Sequence, residues 1–344
     1  MIENLDDPVS KGRGHTMGYQ KDNFRNIRAE YETKAINAQK EADARRAELY
    51  MAIPAVRLLD QRLSTFGLRI MQAAVRGGDT EQAIADLRAE NENILRERAQ
   101  LMRAGGYPAD YTDPHYECDR CKDSGYVGIQ MCECMRRRLI EAGMESSGLS
   151  RLMRTQSFDN FSLDYYRTKP EEYARMERIF QTVKKYAEGF AITADRQPPA
   201  SMLFIGGTGL GKTHLSTSIA RKVIERGYDV FYNSAVGMIS DFEFRRFGSS
   251  VAQTDGDNTE RYTECDLLII DDLGTEVVNQ FTLSCLYHVL NTRLNLQKPT
   301  IISTNLTSGE LRKTYSDRIT SRLMGEYEIL PFYGTDIRKQ KLQK

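Results

Sequence analysis

Eight residues, Gly206-Gly-Thr-Gly-Leu-Gly-Lys-Thr213, constrain this chain more than any other stretch. An apolar run, Met202-Leu-Phe-Ile205, leads into them, and His214–Arg226 reads as a helix leading out. A chain in this order must turn tightly from strand into helix, through backbone conformations that glycine adopts most readily. Such a turn ends on a helix N-terminus and aims backbone N–H groups at an anion, above all a phosphate. The spacing fits G-x-x-x-x-G-K-[ST] at every fixed position. Gly206, Gly207, Thr208, Gly209, Leu210 and Gly211 would cradle the phosphates, with His214 opening the helix beside them. Lys212 would reach the β- and γ-phosphates of ATP, and the Thr213 hydroxyl would ligate Mg²⁺.

Leu267-Leu-Ile-Ile270 suits a strand buried on both faces, and it ends in Asp271-Asp272. Acids at the C-terminal end of such a strand lie where open α/β sheets bind ligands. Asp271 is the natural Mg²⁺ partner, and Asp272 is placed to polarise an attacking water. A further strand, Pro299–Ser303, leads to Asn305, which could orient that water or serve only as a turn residue. Strand-like runs at Ser201–Ile205, Asp229–Asn233, Leu267–Ile270 and Thr300–Ser303 alternate with helical stretches. That alternation predicts an α/β fold, a parallel sheet sandwiched by helices.

The first hundred residues read differently. Residues 1–19 are polar and expected to be disordered. Tyr19–Leu49 lacks Gly and Pro and favours a long helix. Pro54 suits the first turn of a second helix. Val56, Leu59, Leu63, Phe66, Ile70 and Ala73 mark its apolar face, and Gly77-Gly78 stops it. Asp79 could cap a third helix, in which Ile84, Leu87, Ile94 and Leu101 follow a loose heptad, either plain amphipathic packing or a coiled coil. Next comes Cys118-x-x-Cys121, then Cys132-x-Cys134. Two close pairs around a Gly-containing hairpin suit a structural Cys₄ zinc site, with an iron–sulfur cluster as the alternative and His115 as a substitute ligand. Cys265 and Cys285 read as small core residues. The expected organisation is a helical partner-binding arm over 20–105, a zinc module over 106–145, a linker over 146–165 and the sheet domain over 166–344.

Lys plus Arg and Asp plus Glu each number 48, so bulk charge makes no case for nucleic acid or membrane. No apolar run approaches a membrane span, and the first residues lack an apolar signal core, so a cytoplasmic protein without membrane contact is expected. Any nucleic-acid site must be local. In Ala235–Glu264, Phe242, Phe244, Arg245, Arg246 and Phe247 interleave aromatics with arginines. Phe244, Arg245 and Arg246 could bind single-stranded DNA, although a helix packing its Phe face on the core would read the same way. Arg136-Arg137-Arg138 could touch nucleic acid or an acidic partner, or form a solvated helix face.

These motifs, with Ser303-Thr-Asn-Leu-Thr307, Asp317-Arg-Ile-Thr-Ser-Arg-Leu-Met-Gly325, Phe332-Tyr-Gly-Thr-Asp-Ile-Arg338 and Phe158-Asp-Asn-Phe161, resemble AAA+ ATPases. More narrowly they resemble the DnaC/DnaI/IstB-like group of bacterial replicative-helicase loaders and transposition helper ATPases, over about residues 155–342. The resemblance implies an ATPase that binds a hexameric replicative helicase and single-stranded DNA and self-associates when active. The alternative within the group is a transposition helper assembling on duplex DNA; outside it, a nucleotide-gated binding module with negligible turnover. Arg322 would be an arginine finger reaching a neighbouring subunit, with Arg318 as runner-up. Arg338 would contact nucleotide in its own subunit, and Phe158 and Phe161 would border the adenine. The helical lid domain of fuller AAA+ proteins is expected to be absent or vestigial.

Overall fold

A computed structural model describes residues 19–76, 80–192, 197–247 and 259–342. The expectations for residues 1–18, for Gly77-Gly78 as a helix stop and for Asp79 as a cap lie outside the described residues. The chain divides into two compact units, residues 26–135 and residues 136–344 with 1–25.

In the first unit, α1 (Lys21–Ala52) runs for 32 residues, as a stretch without Gly or Pro allows. Pro54 opens α2 (Pro54–Ser64) at its first turn. The apolar periodicity predicts one helix onward through Ala73, but the structure breaks it at Thr65 and starts α3 (Phe66–Arg76). Ser64 Oγ and Thr65 Oγ1 donate to the carbonyls of Gln61 and Arg62, at 2.7 and 2.9 Å. Such side-chain bonds compete with the helix for its own acceptors. α4 (Thr80–Ala104) ends where Gly105-Gly106 follows, Gly106 in a left-handed conformation. Leu49, Val56 and Met102 form a small buried cluster. Beyond it, β1 (Tyr126–Val127) and β2 (Gln130–Met131) pair as an antiparallel hairpin ahead of α5 (Glu133–Ser146).

The second unit contains α6 (Ser150–Met153), 3-10 turns at Phe158–Asn160 and Leu163–Tyr166, and α7 (Pro170–Gly189). Then come β3 (Ser201–Ile205), α8 (Lys212–Glu225), β4 (Val230–Ser234), α9 (Ala235–Phe247) and α10 (Arg261–Glu264). They are followed by β5 (Leu267–Leu273), α11 (Gln280–Asn295), β6 (Thr300–Thr304), α12 (Ser308–Thr314), α13 (Asp317–Gly325), β7 (Tyr327–Pro331) and α14 (Ile337–Leu342). The five strands are parallel, in the order β4-β5-β6-β3-β7. Successive residues of a strand point to opposite faces, so Met202 and Phe204 enter one apolar cluster with α7 and α8. Leu203 enters the other with α11 and α13. β7 and α7 are not among the elements read from the sequence. The helical signal of α7 is present in Met176, Ile179, Val183 and Ala187, all buried. Cys265 and Cys285 are buried in the second cluster.

The stretch 146–165, expected as a linker, packs into this unit. Leu149 and Met153 join the first cluster, and the Tyr232 N–H donates to the Ser147 carbonyl at 2.9 Å, closing the outer edge of β4. Among the described residues no helix is long and apolar enough to cross a membrane.

Candidate active site

The phosphate loop joins β3 to α8 at the C-terminal edge of the sheet. Gly209 and Gly211 are left-handed, φ +71° and +84°. A Cβ at Gly211 would stand 2.8 Å from the Phe161 ring, and one at Gly209 would overlap the Asp336 carboxylate. The loop is thus clasped by Phe161 on one side and, through Asp336 and the Ile337 N–H bonded to the Gly209 carbonyl, by the C-terminal segment on another.

Lys212 is 5% exposed. Its ammonium donates to the carbonyls of Gly206 (2.6 Å) and Gly207 (2.7 Å) and to Asn305 Oδ1 (2.8 Å). Burial holds its pKa below the ordinary lysine value against the opposing pull of Asp272 and Asp271. An incoming phosphate would have to exchange some of these bonds. Thr213 Oγ1 donates to Asp271 Oδ2 at 2.9 Å, bringing together the two groups expected at a magnesium ion. Asp272 has φ +54°, and the β5–β6 register shifts between Ile270 and Leu273. A left-handed non-glycine residue is unusual and collects at functional sites. Here it turns the second acid out of the strand's alternation and into the cleft. Burial first, and Asp271 second, raise the Asp272 pKa above the usual carboxylate range.

One cleft gathers these groups. Gly209 to His214, Asp272 and Asn305 line it with Phe161 and Arg338, and so do Gln156, Asn160, Ser162, Tyr165, Ile337 and Lys341, to which the sequence reading assigned no role. Their signal lies in segments it did quote, beside Phe158-Asp-Asn-Phe161 and Arg338. His214 Nε2 lies 2.9 Å from the Ser157 carbonyl, which can only accept, so Nε2 carries the proton. Phe161 stacks on Phe180 with centroids 5.5 Å apart and meets His214 edge-on. Phe158 is not among the residues lining this cleft and packs edge-on against Phe180, 5.9 Å between ring centroids.

The arginines separate. Arg338 lines the cleft of its own chain. Arg322 does not. Its guanidinium donates to Asn291 Oδ1, the Tyr287 hydroxyl and the Arg318 carbonyl, and it lies over the Tyr287 ring at 4.6 Å. Arg318 is exposed one turn away on α13, beside Tyr287 and Ser316. On α9, Phe242 packs against Tyr262, whereas Phe244 is 47% exposed. Arg245 pairs with Glu260 at 3.9 Å, and Arg246 lies over the Phe281 ring at 5.2 Å. The Phe247 side chain lies outside the described residues.

In the first unit, the sulfurs of Cys118, Cys121, Cys132 and Cys134 all lie within 4.8 Å of one another. The pairs Cys118–Cys132 and Cys121–Cys134 stand 3.9 and 3.5 Å apart. Tetrahedral bonds of about 2.3 Å to one zinc ion place sulfurs roughly 3.8 Å apart. So close a set fits a single ion, whereas an iron–sulfur cluster would spread its thiolates around several metal atoms. The Asp123 carboxylate holds the turn by accepting the N–H groups of Glu117 and Cys118, both at 2.8 Å. His115 is exposed and outside the group.

Residues 181–344 match the family model described as IstB-like ATP binding protein. The phage-like element PBSX protein XkdC of Bacillus subtilis (strain 168) is 28% identical over 241 residues, 66% of this chain and 82% of that protein. The replicative helicase loader DnaC of Escherichia coli (strain K12) is 27% identical over 205 residues, 59% of this chain and 77% of that one. A crystal structure of the DnaC helicase loader covers 53% of this chain and 99% of its own, at 18% identity and a TM-score of 0.44. That of DnaI covers 54% and 92%, at 21% identity and 0.40. Residues 181–344 therefore carry an IstB-like ATP-binding segment, and the chain is an ATPase.

Proposed function

We propose that this protein is a helicase loader. It binds a hexameric replicative DNA helicase through the helices of residues 20–105, engages single-stranded DNA, and hydrolyses Mg-ATP during loading. The likeness to proteins described as replicative helicase loaders, along most of their length, supports this role over that of a transposition helper.

In this reading the loop N–H groups and Lys212 bind the phosphates. Thr213 and Asp271 hold Mg²⁺, and their 2.9 Å contact suits a shared ion. Bound magnesium would neutralise charge on the β- and γ-phosphate oxygens. Asp272 polarises the attacking water, and Asn305 orients it once Lys212 moves to the phosphates. Arg338 contacts nucleotide in its own subunit, and Arg322 stabilises the transferring phosphoryl group of a neighbouring subunit in a homo-oligomer. Phe244, Arg245 and Arg246 face the DNA strand. Cys118, Cys121, Cys132 and Cys134 hold a structural zinc.

The test mixes the full chain with the replicative helicase of its own organism and measures complex mass with and without ATP. A stable complex is expected, and its absence in every nucleotide state would sink the loader role. Lys212→Ala should lower turnover about 10²–10³-fold, the scale for removing a preorganised donor. Asp272→Asn should retain bound ATP unhydrolysed. Normal turnover in both variants would overturn the site assignment while leaving the complex to be judged separately.

A further inference from the structure

Asp271 is 2% exposed, near the C-terminal end of the interior strand β5. A buried carboxylate needs strong hydrogen bonding. Three hydroxyls supply it. Oδ2 accepts from Thr213 at 2.9 Å and from the Tyr232 phenol at 2.9 Å, and Oδ1 accepts from Ser303.

Tyr232 and Ser303 come from the two strands that flank β5, β4 on one side and β6 on the other. Each is fixed by a second contact. The Tyr232 N–H is bonded to the Ser147 carbonyl, and Gly148 packs so close that a Cβ there would stand 2.6 Å from the Tyr232 carbonyl oxygen. Ser303 Oγ also accepts the Asp272 N–H at 3.0 Å, so one hydroxyl ties down both acids.

The three hydroxyls do not have equal freedom. Thr213 is the expected metal ligand, and a hydroxyl that gives its lone pair to a cation can still donate its proton only along a restricted direction. The orientation of Asp271 then depends on the other two. We propose that Tyr232 and Ser303 are positioning residues, whose hydroxyls clamp the Asp271 carboxylate from the two neighbouring strands and thereby set the affinity of the site for the magnesium that accompanies ATP. This rests on the reading of Asp271 as the magnesium partner. The plainer account, in which the hydroxyls only satisfy a buried acid, predicts a stability change without a metal phenotype.

The test measures affinity of the full chain for a fluorescent ATP analogue, first in EDTA and then across stepped MgCl₂. The wild type should bind more tightly as MgCl₂ rises, and Asp271→Asn should lose most of that gain. Tyr232→Phe, which keeps the ring and its packing, and Ser303→Ala should bind as the wild type does in EDTA. Their MgCl₂ midpoint should rise about tenfold or more, the scale for losing a partner that orients a metal ligand. A lower melting temperature with an unshifted midpoint in both variants would overturn the clamp. A wild-type magnesium response in Asp271→Asn would instead refute the reading beneath it.

Discussion

The two compact units are held together by different means. Residues 136–344 bury two apolar clusters, one on each face of a parallel sheet, and most of their side chains are fully withdrawn from water. In residues 26–135, the cluster joining α1, α2 and α4 contains three fully buried side chains. Ile27, Ala42, Ile94 and Met135 are buried elsewhere in that unit, and polar links add to them. Arg98 pairs with Asp60 at 2.7 Å, each side chain 17% exposed, and also donates to Thr112. Arg45 donates to the carbonyls of Tyr111 and Asp113. Four sulfurs close the segment that has least apolar material. Long single helices bury little surface per residue, whereas a strand between two helical layers buries both faces. The sheet therefore carries a site that needs sub-ångström geometry, and the helical unit leaves Leu58, Leu68, Met71 and Val75 exposed.

The largest expected effect lies at the sulfurs. In zinc-finger peptides a structural zinc contributes about 10–16 kcal/mol of apparent binding energy at neutral pH. Chelation should therefore release the amides of residues 117–135 into rapid hydrogen exchange while those of β3, β5 and β6 stay protected. Undisturbed protection of 117–135 in metal-free protein would break the comparison. Next in size, Leu203→Ala in the sheet should lower global stability by about 2–5 kcal/mol through the cavity it leaves, measured by denaturant melts. A loss below about 1 kcal/mol would mean that the sheet is not the better-packed region. Smaller still, Asp60→Ala should cost about 1–3 kcal/mol by leaving the half-buried Arg98 without its carboxylate partner. That loss should appear in the exchange of α2 and α4 and leave nucleotide affinity unchanged. A uniform loss across both units would show that they unfold together.

The legibility of the two units also differs. β3, β5 and β6 follow the sequence reading closely, because a strand buried on both faces must be a continuous apolar run. β7 escapes it: Glu328 and Pro331 interrupt the apolar pattern, which an edge strand tolerates. The division of α2 from α3 was hidden because the apolar period continues across Thr65, and only local hydroxyl bonds end the first helix. Phe158 and Phe161 are three residues apart in one motif, yet only Phe161 reaches the cleft.

The phosphate loop, the acids after a buried strand and the clustered cysteines can be read from the chain alone. In each, chemistry fixes residue type and spacing within one short stretch. Tertiary structure alone decided what meets across strands. It set Tyr232 and Ser303 on either side of Asp271, turned Asp272 through a left-handed backbone, tied Lys212 to Asn305 and brought Arg338 back over the loop. Those partners lie tens of residues apart, and no local period records which strands will be neighbours; the order of the sheet is settled by the packing of its two faces.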